Sequence, residues 1–200
     1  MTEHARLELS DPQMMRAMAH PARLSIMDYF LSGQTGTATE LAEVVGLSPS
    51  ATSYHLRALA RYGLVEEAPS RGDARERVWQ TRMRGMTVES GPDAPPDVRA
   101  AARELADAYL VHEEARARRW LLRSDSEPPD WDAAASFSNG ILLLTAEELT
   151  ALTEQVHELL RPYLRTRRTD PPSGARVVSA LFRAYPMDEP AGVPAEPAAG

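Results

Sequence analysis

The chain of 200 residues contains no cysteine and no lysine. Without thiols there are no disulfides, no zinc–thiolate sites and no thiol catalysis, a composition compatible with a reducing compartment. All 22 basic residues are arginine, which points to a coding bias more than to chemistry. Long apolar runs are missing too. The longest, "ILLL" at 141–144, is far below the ~20 residues that cross a bilayer, and "MTEHARLELSDP" has no signal-peptide core. A cytoplasmic location is expected. No Ser/His/Asp order, phosphate-cradling glycine loop or paired-acid motif stands out, and the "EE" pairs at 113 and 147 read as solvated helix surface. No enzyme, catalytic residue or cofactor is expected.

What is present is an ordinary apolar fraction of 43%, enough for a packed core. The net charge of −7 argues against wholesale coating of nucleic acid, but the charge is unevenly distributed. Residues 1–47 carry 3 Arg against 6 acids, residues 48–84 carry 7 against 4, and residues 85–200 carry 12 against 19. One segment alone is basic.

Proline and glycine punctuate the chain at "SGPDAPPD" (90–97), "SEPPD" (126–130) and a proline- and alanine-rich end. The division expected is a winged helix-turn-helix domain over 1–89, a linker and long dimerisation helix over 90–127, a C-terminal unit over 128–186 and a disordered tail over 187–200. The fold class is mainly α with small β (α+β).

In the first part, Asp11–Pro12 and Pro21 open two helices. Thr39 is expected to cap a third, "ELAEVVG", ended by Gly46 in a left-handed conformation. Ser48 caps a fourth, with Pro49 at its first position. Two short helices joined by a glycine turn form a helix-turn-helix. After Gly63, "LVEEA" and "ERVWQT" are strand-like and joined by the turn-forming "PSRGDAR", which predicts a two-stranded wing.

In the fourth helix Thr52, Leu56 and Leu59 fall on one side, while Ser50, Ser53, Tyr54 and Arg57 fall on the other at i, i+3, i+4, i+7 spacing, with Arg61 continuing the row. Short hydroxyls permit close backbone approach to a duplex, and Tyr and Arg reach phosphates or base edges. Arg71 and Arg75 stand near the wing tip. A polar face with two arginines is ordinarily solvated surface. Helix, turn, helix and arginine-tipped hairpin, in that order within the only basic segment, point instead to DNA contact. His55 flanks the apolar row and is assigned to packing or a phosphate contact, and Trp79 to the core of the wing.

These residues carry a resemblance. "MMRAMAHPARLSIMDYFLSGQTGTATELAEVVGLSPSATSYHLRALARYGLVEEA" resembles the winged-helix domain of ArsR-type bacterial transcription regulators over residues 14–81, most specifically in "LSPSATSYHLRALARYGLV". The resemblance implies a symmetric dimer on double-stranded, inverted-repeat operator DNA, a repressor released by an effector, and a recognition helix starting near Ser48 with Ser50, Ser53, Tyr54 and Arg57 exposed. Metal-sensing members use a cysteine pair, impossible here, or Asp and His ligands on a C-terminal helix. Asp107, His112 and Glu113 lie there with no second histidine at helical spacing, so no metal site is expected. A small non-metal effector fits better. The reading from another class is a winged helix that binds protein and not DNA.

From Asp97 to about Arg123 a long helix places Val98, Ala101, Ala102, Leu105, Tyr109 and His112 on one stripe. An intramolecular core is one explanation. A helix following a wing has little of its own monomer to cover it, which favours a dimer seam joined by Met14 and Met18. Beyond it the pattern predicts strand, helix and strand: Phe137 to Leu144, a helix capped at Thr145 with Glu148 completing a capping box, and "ARVVSALFRAYP". This unit is assigned a sensing or dimer-stabilising role. Trp120, Trp131 and Phe137 are candidates for an apolar ligand pocket, with core packing as the alternative.

Overall fold

A computed structural model describes residues 7–72, 77–83, 86–88, 91, 93–165, 167–168 and 170–187. Contacts divide the chain into two compact units, one up to Phe137 and one from Ser138.

The first unit begins with β1 (Leu7–Leu9), then α1 (Pro12–Met18), α2 (Pro21–Leu31), β2 (Gly36–Thr37), α3 (Ala38–Val45) and α4 (Pro49–Arg61). The wing strands β3 (Glu66–Glu67) and β4 (Val78–Gln80) follow, then β5 (Met86–Val88), α5 (Pro96–Leu121) and the short α6 (Pro129–Ala134). β4 lies between β2 and β3, antiparallel to both, with Gly36 opposite Trp79 and Glu67 opposite Trp79 on the other side. β1 runs parallel to β5.

Local chemistry explains most boundaries. Asp11 accepts from the Gln13 amide and begins α1. The cap of α3 is Thr37, two residues earlier than expected, because Thr37 and Glu40 close a reciprocal capping box. Gly36 just before it lies so close to Tyr29 that an added Cβ would sit 3.2 Å from the ring. Gly46 ends α3 at φ 66°, the left-handed cap expected of it. The expected wing hairpin is present, and β2 adds a third strand to it. Arg75 lies outside the described residues, as do residues 188–200 of the expected tail.

Leu9, Met15, Met18, Leu24, Ile26, Leu41, Leu56, Leu59 and Leu64 are at most 1% exposed and form one core. Ala101, Ala102 and Leu105 belong to the same core, at 0%, 5% and 2% exposure, with Val98 and Tyr109 packed at its edge. α5 therefore packs along α1 within the protomer. Of the residues expected at a dimer seam, this leaves only Met14, Val98 and Tyr109 partly exposed. Met18, Ala101, Ala102 and Leu105 are enclosed by their own chain, and Met14 is only partly exposed beside them. The long helix is not a separate element after the wing, because α1 supplies the cover that the chain order conceals. The apolar side chains that α5 leaves outside are Leu110, Val111 and Leu121.

In the second unit, α7 (Ala146–Leu160) starts at the expected capping box, with the Glu148 amide donating to Thr145 Oγ1 at 3.2 Å. The two flanking strands are absent: residues 135–145 and 175–187 have no strand structure. Their composition is strand-like, but composition alone does not make a strand, which exists only where its amides and carbonyls form a regular ladder with another edge.

Candidate nucleic-acid interface

α4 is held by its underside. Thr52, Leu56 and Leu59 are 0% exposed, and Thr52 Oγ1 donates back to the Ser48 carbonyl at 3.0 Å, which removes its polarity from the core. At the start of the helix Ser48 Oγ accepts from the Ala51 amide at 3.2 Å, with Pro49 in the first turn as its fixed φ prefers. This end is left facing outward: Ser48, Pro49 and Ser50 are exposed.

The opposite row is presented as its spacing implies. Tyr54 is 59% exposed, Arg57 and Arg61 are exposed, and Ser53 is half-buried between them. Arg57 Nη1 donates to Ser53 Oγ at 2.8 Å, one turn back, which orients the guanidinium along the helix. Ser53 and Arg57 also form one wall of an open cleft of about 400 Å³, lined in addition by Thr37, Ala38, Thr39, Arg77 and Trp79. The cleft thus joins α4, the first turn of α3 and the wing strand. Two guanidinium groups, hydroxyls and the partial positive end of a helix suit an anionic strand.

The sequence does not mark Arg77, Thr37 or Thr39 as lining such a cleft, and the pattern assigns Thr39 only a capping role. Arg77 lies in the basic segment, immediately before β4, and only the pairing of β4 with β2 brings it beside α4. It also pairs with Glu67 at 3.2 Å, a contact too exposed to hold it firmly. Arg71 is exposed but not extended. It bonds Glu40 Oε1 at 3.0 Å and Thr35 Oγ1 at 2.6 Å, so it ties the wing to the loop before α3. Contact with a duplex from there requires breaking those bonds.

Behind the face, His55 is buried against His20, the cap of α2, with ring centroids 4.6 Å apart and the rings tilted by 44°. His20 Nδ1 accepts from the Ala22 amide at 3.2 Å, whereas His55 Nδ1 is buried with no hydrogen-bond partner among the described residues. Burial lowers the pKa of both rings, with Arg23 adding to it at His20, and His20 and Arg23 adding to it at His55. The folded state thus binds fewer protons here than the unfolded chain, whose histidines titrate near about 6.5. This contribution to stability is complete above that pH and is lost as pH falls through the lower folded values. The urea midpoint is expected to drop between neutral pH and about pH 5, and less steeply in His55→Gln, as followed by circular dichroism. Equal slopes in the two proteins would contradict it.

Deeper in the first unit, Asp28 of α2 and His112 and Glu113 of α5 bring ligand atoms within 4.8 Å of one another. Asp107, grouped with the latter two on sequence grounds, is exposed, and Asp28 from α2 takes its place. The bridging group is Arg116: it bonds Asp28 and lies 3.0 Å from Glu113 Oε1, while His112 Nε2 is 2.5 Å from Asp28 Oδ2. Burial pushes the Asp28 carboxyl up, but the hydrogen bonds from His112 and Arg116 outweigh it and hold it below the usual carboxylate range. A guanidinium thus already bridges the two carboxylates, offsetting one of their two negative charges, and ties α5 to α2.

Of the three aromatics considered as a ligand pocket, Trp120 and Phe137 are in ring contact, with centroids 5.7 Å apart. Trp131 is half-buried, and Phe137 is 66% exposed, leaving that side open.

The fold and its outward helix define a winged helix-turn-helix protein of the DNA-binding class. Residues 18–68 match a family of helix-turn-helix domains. The HTH-type transcriptional regulator YgaV of Escherichia coli (strain K12) is 47% identical over 70 residues, spanning 33% of this chain and 70% of that protein. Among solved structures, YusO of Bacillus subtilis aligns with a TM-score of 0.32 at 16% identity, covering 75% of this chain and 83% of its own. ZitR of Lactococcus lactis, described as a zinc-responsive MarR family member, aligns with a TM-score of 0.28 at 15% identity, covering 82% and 83%. The chain belongs to the HTH-type transcriptional regulators. It is a DNA-binding regulator and not an enzyme. Among the described residues no helix is long and apolar enough to cross a membrane.

Proposed function

We propose that the chain is a cytoplasmic ArsR-type repressor that binds an inverted-repeat operator as a homodimer and is released by a small non-metal effector. The observation that carries the DNA-reading role is the row Ser50, Ser53, Tyr54, Arg57 on the outer side of α4, with Ser53 and Arg57 opening onto the cleft shared with Arg77. In this reading α4 enters the major groove, its hydroxyl-bearing first turns approach the base edges, and Arg57 and Arg77 hold the flanking phosphates. Arg61 extends the phosphate contact at the far end of the helix.

The ArsR assignment rests on "LSPSATSYHLRALARYGLV", and the homodimer on the two-fold symmetry of such operators. A non-metal effector is favoured by the lack of cysteine and by Arg116 lying between the carboxylates of Asp28 and Glu113. Trp120 and Phe137 remain the candidate contact surface for it.

Selection of bound duplexes from a random pool is expected to return an inverted repeat with half-sites about one helical turn apart. With about three arginine–phosphate contacts per protomer, log K should fall with log salt at a slope of about −5. A flat salt response, with no sequence enriched, would instead favour the protein-binding winged helix.

A further inference from the structure

We propose that the second unit is a self-association element, in which a second copy of this chain covers α7 in antiparallel orientation. The inference rests on the dimeric reading above and says where part of the dimer is made.

Three observations carry it. Among the described residues from 138 to 187 no side chain is buried, and the exposed large apolar ones range from 38% at Phe182 to 100% at Leu143. About a dozen such side chains present on the order of 1,000 Å² of apolar surface, against about 800 Å² per partner in a standard stable interface. A chain that exposed this much to water would aggregate unless something covered it.

The second observation is the spacing on α7. Leu149, Leu152, Val156, Leu159 and Tyr163 recur at intervals of three and four, the seam of a helix that packs along another helix. No residue of α7 is fully buried: Leu149, Leu152 and Val156 are half-buried, and Leu159 and Tyr163 are 70% and 65% exposed.

The third observation selects the occupant. The charged residues of α7 itself are Glu147, Glu148, Glu154 and Glu158, with no arginine among them. Immediately after it come Arg161, Arg165, Arg167 and Arg168, with no acid. One copy laid antiparallel on another sets each acidic half beside the partner's basic end, and the helix dipoles oppose favourably as well. A parallel pairing would place like charges together. The surface is thus complementary to itself about a two-fold axis, the symmetry an isologous dimer requires.

The test uses the full chain in sedimentation velocity. Glu147→Arg with Glu154→Arg places like charges across the seam and is expected to weaken self-association on the order of 100-fold. Adding Arg165→Glu and Arg167→Glu to the same chain inverts both ends and should restore it. Circular dichroism of each variant separates lost association from lost helicity, because Glu147 also supports the first turn of α7. Rescue by the fourfold variant is a signature that neither a lipid surface nor an unrelated protein partner produces. A double variant that remains as dimeric as the parent overturns the proposal and leaves the DNA-reading dimer standing. A parent chain that is monomeric at micromolar concentration, or that binds vesicles of neutral phospholipid through residues 138–187, overturns it as well.

Discussion

Replacing Arg57 and Arg77 together by alanine is expected to weaken operator binding by about a thousandfold while leaving the fold intact. Each guanidinium contact to a base edge or phosphate contributes about 1–3 kcal/mol, and a dimer loses both copies of each. Four contacts at the low end of that range come to about 4 kcal/mol, and each 1.4 kcal/mol is tenfold. The cost to folding is small for a structural reason. Arg57 donates to Ser53 on the surface, and Arg77 pairs with the exposed Glu67, so neither loss strands a buried partner. Fluorescence anisotropy at fixed salt, with a thermal melt of the same samples, separates the two effects. Affinity unchanged in the double variant would remove the cleft from the interface. Arg71→Ala offers a contrast: its bonds to Glu40 and Thr35 anchor the wing, so its effect should include a change in wing mobility and not only in affinity.

The parts of the molecule legible in the sequence are those determined locally. Ser48–Pro49, Gly46 and the Thr145–Glu148 box each set a boundary through bonds to residues within a turn, and each lies where the sequence places it. The faces of α4 were legible for the same reason, since 100° per residue assigns every side chain to one side. Arg77 was not, because it joins Arg57 only through the ladder between β4 and β2, and a two-residue strand such as Gly36–Thr37 has no periodicity to reveal it. The Asp28–Arg116 link spans 88 residues and leaves no local mark. The C-terminal segments show the converse: strand-like composition is plainly visible, but a strand needs a second edge, which composition does not specify. α5 lies between these cases. Its apolar stripe marks a face that needs a cover, but nothing in a stripe states whether its own chain or another does the covering.

That distinction gives Leu105→Ala a measurable consequence. Leu105 is 2% exposed in the core that α5 shares with α1, so truncation removes apolar contact and leaves a cavity inside the protomer, at a cost of about 2–5 kcal/mol. Because the loss is intramolecular, the change in urea midpoint between parent and variant should be the same at low and high protein concentration. A seam residue behaves differently: its truncation weakens association, so the deficit depends on concentration. Leu121→Ala provides the comparison, since Leu121 is 53% exposed near the end of the same helix and its truncation should cost the protomer little. Chemical denaturation of both variants across a wide concentration range distinguishes the cases. A concentration-dependent deficit for Leu105→Ala would return this stripe to the dimer interface and make the burial against α1 secondary.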